Sequence, residues 1–431
     1  MTLTTRLATF ATQPLTGHHM AVDVLRLSML DWLAVARAGV DEPVARITRD
    51  MVADDAGRAE SSVLGLATRL PARAAALANG SASHALDYDD THFAHIGHPS
   101  VAVIPAALAI AERVGATGVA LQEAALVGVE ASIRVGVWLG RAHYQTGFHQ
   151  TATAGAFGAG LACARLLGMT ADEAAMVLGL LATRASGLKS QFGTMGKPFN
   201  AGIAAANGVE AALLVARGFV ANPDALEAAQ GFGPTHAGAA DMTALDGLGE
   251  DWRFETVSHK FHACCHGLHA SLEALAMLGP LEADQIAGIA VRTHPRWMTV
   301  CNQPAPTTGL GAKFSYATVL PMAVLGHDTA RLDSYTDTIC ADRAVQALRA
   351  RVQVVGDDRI SETATHLTVT LRDNSERVAT FDLDAPMTLA VRSAKVRAKA
   401  ASLLGAGLAD QVWQQITDHA APEVIGAALR A

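Results

Sequence analysis

Four short segments carry residue types that can move protons or hold an anion, and each borders an apolar run. The first is His84-Ala85-Leu86-Asp87-Tyr88-Asp89-Asp90-Thr91-His92, continuing through His95 to His98-Pro99-Ser100. Such a density of carboxylates, hydroxyls and imidazoles is too polar for a core helix. It reads as a loop that faces substrate from a rigid scaffold. The spacing of His92, His95 and His98 also invites a metal ion, but Pro99 breaks a helix there and no fourth ligand is identifiable nearby. A purely structural, hydrogen-bonded loop is the remaining reading.

The second segment is His143-Tyr144 with Gly147-Phe148-His149-Gln150-Thr151, just ahead of an Ala/Gly-rich run. A histidine or tyrosine beside a helix start can give or take a proton while the helix amides favour an anion. His149 as a plain helix cap is the competing reading. Gly155, Gly158 and Gly160 follow no strand, so they predict close helix packing and not a dinucleotide loop. The third segment, Phe192 to Gly202, sets a lone Lys197 between glycines at the opening of an apolar helix. Such a lysine binds a carboxylate or, partly desolvated, acts as a base; a surface lysine is the bland alternative. The fourth, His259 to His269, is the densest ionisable cluster. Its adjacent Cys264 and Cys265 fit neither a metal-ligand spacing nor an iron–sulfur pattern, leaving a thiol nucleophile or structural histidines.

The elements that must position these groups are mostly helical. Val22–Ala38 places Val22, Leu25, Met29, Trp32, Leu33 and Ala36 on one face, with Asp23 and Asp31 falling away from it. Further helices are predicted over 72–78, 100–114, 118–139, 151–167, 171–187, 199–217 and 265–279. Gly39, Gly115, Gly168 and Gly218 stand where left-handed C-terminal caps are expected. Strand patterns appear at 286–293, 351–355, 366–372 and 377–383, the last two pairing across residues 373–376, with a helix between them at 313–325. Helical patterns return at 388–404, 408–418 and 422–430. The fold class is therefore mainly α. A large all-helical domain is expected over 1–269 and a smaller α+β domain over 270–400, with C-terminal helices over 401–431 returning to the first. A cleft between two domains is a common place for a site.

Composition narrows the partners. The chain has 431 residues, 17% of them charged, and a net charge of −8 without a basic block, which argues against nucleic acid. Its longest apolar runs, 151–169 and 101–111, are interrupted by Arg165 or closed by Glu112 and Arg113, so buried helices are expected and no membrane span. Five cysteines without a pairing framework, and an N-terminus without a signal-peptide pattern, make the cytoplasm the expected location.

Taken in order, H-A-L-D-Y-D-D-T, H-P, F-H-Q-T, K-P-F and K-F-H-A-C-C-H-G-L-H resemble the segments of the MmgE/PrpD family, and the likeness runs from about residue 20 to 400. The resemblance implies action on small anionic polycarboxylates without a metal or organic cofactor, in a cleft between a helical domain and an α+β lid, in a homodimer. Carried over by motif, Asp87, Thr91, His98, His149, Lys197 and Lys260 would line the cleft, with Met195 and His269 beside them. The family's activities include 2-methylcitrate dehydration, cis-aconitate decarboxylation and iminodisuccinate epimerisation. Cys265 stands where the decarboxylases carry a histidine, and Asn200 where histidine is frequent. The Tyr144–His149–Lys197 set resembles the epimerase branch, which makes proton abstraction and return beside a carboxylate the narrower expectation. Tyr144 and Lys197 would be the two proton-transfer groups and His149 the competing acid or base. Lys260, His98 and Thr91 would clamp the developing charge. A dehydratase, a decarboxylase and a non-catalytic carboxylate-binding protein on the same fold are the alternatives.

Overall fold

The runs of alanine and glycine become helices whose backbones approach closely, as a computed structural model of residues 2–17 and 19–430 shows. In chain order these are α1 (Leu3–Thr12), α2 (His19–Ala38), α3 (Pro43–Asp54), α4 (Ala72–Ser83), α5 (Ser100–Val114), α6 (Gly118–Thr146), α7 (Gln150–Leu166), α8 (Ala171–Leu181) and α9 (Gly196–Val215). With the helices Leu389–Leu404, Ala406–Thr417 and Pro422–Arg430 they form one unit, up to His259 and again from Leu389 onward. Lys260–Thr388 forms a second unit. Residues 260–269 thus go with the second unit and 389–400 with the first, a shift of about ten residues from each expected boundary.

In the first unit α7 is buried on every side, packed by α5, α6, α8 and α9. Its glycines permit this. A methyl group on Gly158 would lie 2.3 Å from the Gly128 carbonyl of α6, and one on Gly160 would lie 2.4 Å from Leu181 of α8. Helix α4 crosses α9 in the same way at Gly80 and Gly202. That crossing brings the C-terminal end of α4 beside the N-terminal turn of α9. α4 runs five residues past its predicted end because its polar side chains are satisfied inside: Asn79 bonds the Leu64 amide and the Ser62 carbonyl, each at 2.8 Å.

Several elements differ from the sequence reading. α1 was not expected; its buried Leu3, Leu7, Phe10 and Ala11 make a helical stripe, and its first amides are capped by Glu227, at 2.9 Å from Leu3 N and 2.8 Å from Thr4 N. α3, opened by Pro43, was also missed. α6 continues to Thr146, but Gly140 breaks it at φ +70°, where the expected helix ended. Gly115, Gly168 and Gly218 take left-handed conformations, whereas Gly39 does not. It is required by contact instead, since a Cβ there would lie 2.9 Å from the Ala82 carbonyl oxygen. Asp31 does not face water. It is buried and paired with Lys399 Nζ at 2.6 Å. No helix among the described residues is long and apolar enough to cross a membrane.

The second unit carries a four-stranded sheet ordered β2-β1-β3-β4, with β1 Ile286–Thr293, β2 Val352–Gly356, β3 Ala364–Leu371 and β4 Glu376–Asp382. β1 pairs in parallel with β2 and antiparallel with β3, and β3 and β4 form the expected hairpin, its turn closed by Asn374 at φ +65°. Ile286, Ile289, Val291 and Thr293 turn the buried face of β1 inward. The predicted helix at 313–325 appears as Tyr316–Val324, after a short turn of helix at Gly309–Ala312.

Gly202→Ala tests the α4–α9 crossing, because its Cβ would come 2.4 Å from the Leu77 carbonyl, a backbone group that cannot step aside. Chemical denaturation is expected to show a loss of about 1–3 kcal/mol, the usual penalty of overpacking. An unchanged midpoint would mean that the two helices do not depend on this contact.

Candidate functional site

The loop between α4 and α5 is built around one carboxylate. His84 ends α4 at its C-cap, and His98 precedes α5. Asp89, buried between them, bonds His84 Nδ1 with Oδ1 at 2.9 Å and holds Oδ2 2.7 Å from His98 Nδ1. Burial alone would raise the Asp89 pKa, yet the two imidazoles outweigh it and hold the carboxyl well below its ordinary range. The second carboxylate, Asp87, is partly open to solvent and sits at φ +51°, a left-handed conformation that aspartate tolerates. Its Oδ2 pairs with Lys197 Nζ at 2.6 Å and its Oδ1 lies 3.5 Å from His98 Nε2.

Two further elements complete the set. His149 occupies the N-cap of α7 but makes no side-chain cap bond, so its ring serves elsewhere. It stacks on His84 at 5.9 Å between centroids and meets the edge of Phe192 at 4.9 Å. Its Nδ1 is 3.3 Å from Asn200 Nδ2. Burial first, then the nearby His84, Lys197 and His98, push its pKa well below the ordinary value, so the ring is neutral near pH 7. Lys197 lies in the first turn of α9, its ammonium 5.3 Å from the Phe192 ring centroid. Thr151 Oγ1 accepts from the His98 amide at 3.0 Å, tying the loop to α7.

The structure thus brings Asp87, His98, His149 and Lys197 together and adds His84, Asp89, Phe192 and Asn200. Tyr144 stands at the end of α6, where Lys189 Nζ donates to its carbonyl at 3.0 Å and lies 3.8 Å from its ring centroid. Lys189 opens the loop that continues through Phe192 to Lys197. Thr91 forms a two-residue bridge with Ser258, its amide donating at 2.9 Å and its carbonyl accepting at 2.7 Å. Met195, at the N-cap of α9, is half exposed.

Lys260 and His269 belong to the second unit, and both are buried there. His269 Nε2 meets the Cys264 carbonyl at 3.3 Å, and its ring contacts those of His262 and His266. Burial pushes the Cys264 thiol up to about 12, which removes it as a thiolate nucleophile.

The three histidines once spaced for a metal do not converge. His92 bonds the Arg253 carbonyl and Thr256, each at 3.0 Å, and burial lowers its pKa to about 4. The ring of His95 is packed so tightly that a methyl on Gly136 would fall 2.1 Å from its Nδ1. A different set, His84, Asp87, Asp89 and His98, places one donor atom each within 4.8 Å of the others. These donors already pair among themselves and with Lys197: carboxylate with imidazole, carboxylate with ammonium.

Beneath the loop lies a buried layer that the sequence reading did not pick out. Lys399 Nζ, paired with Asp31, donates to the Tyr88 carbonyl at 2.6 Å and sits 3.9 Å from the Tyr88 ring centroid. Asp90 takes the Ser100 hydroxyl at 2.5 Å, and burial, aided by Asp31 and Asp89, pushes its pKa up to about 7 against the bonds from Ser100 and Ser28. The only available signal was the excess of acids in Asp87-Tyr88-Asp89-Asp90.

Because the folded pKa of Asp90 is raised, its contribution to stability is present below the unfolded value near 4 and is lost as pH rises through about 7. Asp90→Asn removes that titration. Its stability relative to the parent should climb between pH 4 and pH 8, by at most about 4 kcal/mol. Melting curves across that range check it, and a gap that stays constant with pH would show that Asp90 does not titrate there.

Comparison with known proteins finds two family models along the chain. The MmgE/PrpD N-terminal domain matches residues 5–244 and the MmgE/PrpD C-terminal domain matches residues 262–420. Curated relatives include a cis-aconitate decarboxylase-like protein of Aspergillus oryzae, 29% identical over 60% of this chain and 57% of the relative. The cis-aconitate decarboxylase of Aspergillus terreus is 32% identical over 50% of this chain and 47% of its own. The mitochondrial 2-methylcitrate dehydratase of Yarrowia lipolytica is 30% identical over 38% and 33%. The chain spans about half the length of the first two relatives and a third of the last.

Proposed function

The chain belongs to the MmgE/PrpD family, and we propose that it is a lyase that makes or quenches a carbanion beside a carboxylate of a small di- or tricarboxylate. The observation that carries this reading is the Asp89–His98 pair set against Asp87–Lys197. An ionised carboxylate 2.7 Å from His98 Nδ1 favours a proton on that nitrogen and leaves Nε2 as the basic one. Nε2 lies on the Asp87 side, where Lys197 supplies a cation for a substrate carboxylate. His98 is therefore the proton-transfer group, and Lys197 and His149 hold the oxygens on which charge develops. Dehydration follows if the carbanion expels a β-hydroxyl, and decarboxylation if loss of carbon dioxide creates the carbanion that is then protonated. The names of the relatives, a decarboxylase, a decarboxylase-like protein and a dehydratase, support this class.

Epimerisation, the narrower expectation, needs proton-transfer groups on opposite faces of one carbon, and Tyr144 with Lys197 was the pair expected for it. Lys197 pairs with Asp87 at 2.6 Å, which favours an ion-holding role for it, and the Tyr144 ring lies 3.8 Å from Lys189 Nζ.

Incubation in D₂O with cis-aconitate, 2-methylcitrate and a panel of other di- and tricarboxylates, followed by proton NMR, tests the proposal. New vinyl signals are expected, with carbon dioxide release separating decarboxylation from dehydration. Deuterium entering beside a carboxylate on an unchanged skeleton would replace the lyase reading with the epimerase one. His98→Gln should lower kcat by roughly 10²–10⁴-fold, and Lys197→Ala by about 10²–10³-fold. Tyr144→Phe should leave kcat within a few fold. A His98→Gln variant with full turnover would remove His98 from the chemistry.

A further inference from the structure

The side chain of Asn200 stands behind His149, with its amide nitrogen toward Nδ1. Asn200 is buried in α9, and its Nδ2 faces two acceptors: His149 Nδ1 at 3.3 Å and the Leu188 carbonyl at 3.5 Å. The turned amide would aim its oxygen at that carbonyl, a repulsive contact, so the nitrogen belongs where it is. The segment that presents the carbonyl is itself fixed. Gly187 accepts from the His149 amide at 2.9 Å, and its φ of +140° with no side chain leaves Asn200 room, since a Cβ there would lie 3.3 Å from Asn200 Cγ. An amide N–H that donates to Nδ1 requires a lone pair there. The charged and titratable groups that act on the ring, His84, His98 and Lys197 in one direction and Asp87 in the other, come from the 84–98 loop and α9. Their sum with burial excludes the imidazolium, so one proton remains to be placed.

We propose that Asn200 is a positioning residue that sets the tautomer of His149, with the proton on Nε2, so that this histidine meets substrate as a hydrogen-bond donor to a carboxylate or enolate oxygen and does not take a proton from carbon. Among the described residues no protein group bonds Nε2, which leaves it for a ligand. The role toward substrate rests on the proton-transfer reading above; the tautomer does not. The inference also separates the two histidines chemically. A carboxylate behind Nδ1 makes Nε2 of His98 basic, whereas an amide N–H behind Nδ1 makes Nε2 of His149 a donor.

Nitrogen NMR of the imidazole rings in the ¹⁵N-labelled full chain tests it, with His149→Gln used to assign the signals. The expected pattern for His149 is an unprotonated Nδ1 and a protonated Nε2, unchanged between pH 6 and 8. A protonated Nδ1, or a ring that titrates in that range, would overturn the proposal without any assay. Asn200→Asp places an acceptor behind Nδ1 and should move the proton there. Turnover should then fall by about 10²-fold or more in kcat with KM within a few fold, since inverting a tautomer by an Asp–Asn exchange costs up to about 10⁴ in serine proteases. Asn200→Asp with the proton moved and kcat unchanged would sink the donor role while leaving the lyase assignment intact. If no carboxylate in the panel is turned over by the parent protein, the lyase reading falls, and the ring spectrum alone decides the tautomer.

Discussion

A carboxylate buried among apolar helices stays ionised only when its charge is answered at contact distance, and Asp89 meets that condition with two imidazoles. Taking such an ion out of water costs several kcal/mol, so the arrangement holds only while both partners stay in place. His84 belongs to the end of α4 and His98 to the approach to α5, so this one residue joins two helix ends. The rest of the set is hung from that junction. Asp87, two residues earlier, reaches Lys197 on α9, while the His98 amide reaches Thr151 on α7. Four helices therefore meet at a loop whose geometry is set by charge, and they can approach so closely because glycines line their crossings.

A second charged layer supports the first. Lys399 answers Asp31 inside the unit and uses a remaining proton on the Tyr88 carbonyl, the peptide between Asp87 and Asp89. The loop is gripped from both faces, by imidazoles on one and an ammonium on the other. Such gripping bears directly on Asp87, which is kept in a left-handed conformation that costs of order 1–3 kcal/mol for a residue other than glycine. Strain of this kind persists where the surrounding contacts over-determine the backbone.

Much of this was legible in the sequence, and what was not has definite physical causes. Helical and strand periods located α2 and α4 to α9 and all four strands, because a period needs only local order. α1 was missed although Thr2 caps it locally through the Thr5 amide; only the further support of its first amides by Glu227 is remote in sequence. The first-unit groups of the site, Asp87, His98, His149 and Lys197, were visible as ionisable residues abutting apolar runs. Their partners were not. Asp89 looked no different from Asp87 or Asp90, since which acid lies between two imidazoles depends on the turn at Asp87. Asn200 drew notice only as a departure from family habit, and its contact with His149 exists because α9 crosses α4 and α7 at glycines. Asp31 falls away from the apolar face of α2, and nothing within that helix could reveal that a lysine more than three hundred residues away would bury it.

The chain order of these contacts has a consequence for synthesis. The polypeptide makes the helices up to α9, then the whole continuous second unit, and only then helix Leu389–Leu404, which carries Lys399. Until that helix is made, Lys399 is not there to pair with Asp31 or to donate to the Tyr88 carbonyl. The second unit is complete in sequence while the first is still missing its final piece. The contacts that hold the 84–98 loop from the Lys399 side therefore become available only after the second unit has been made.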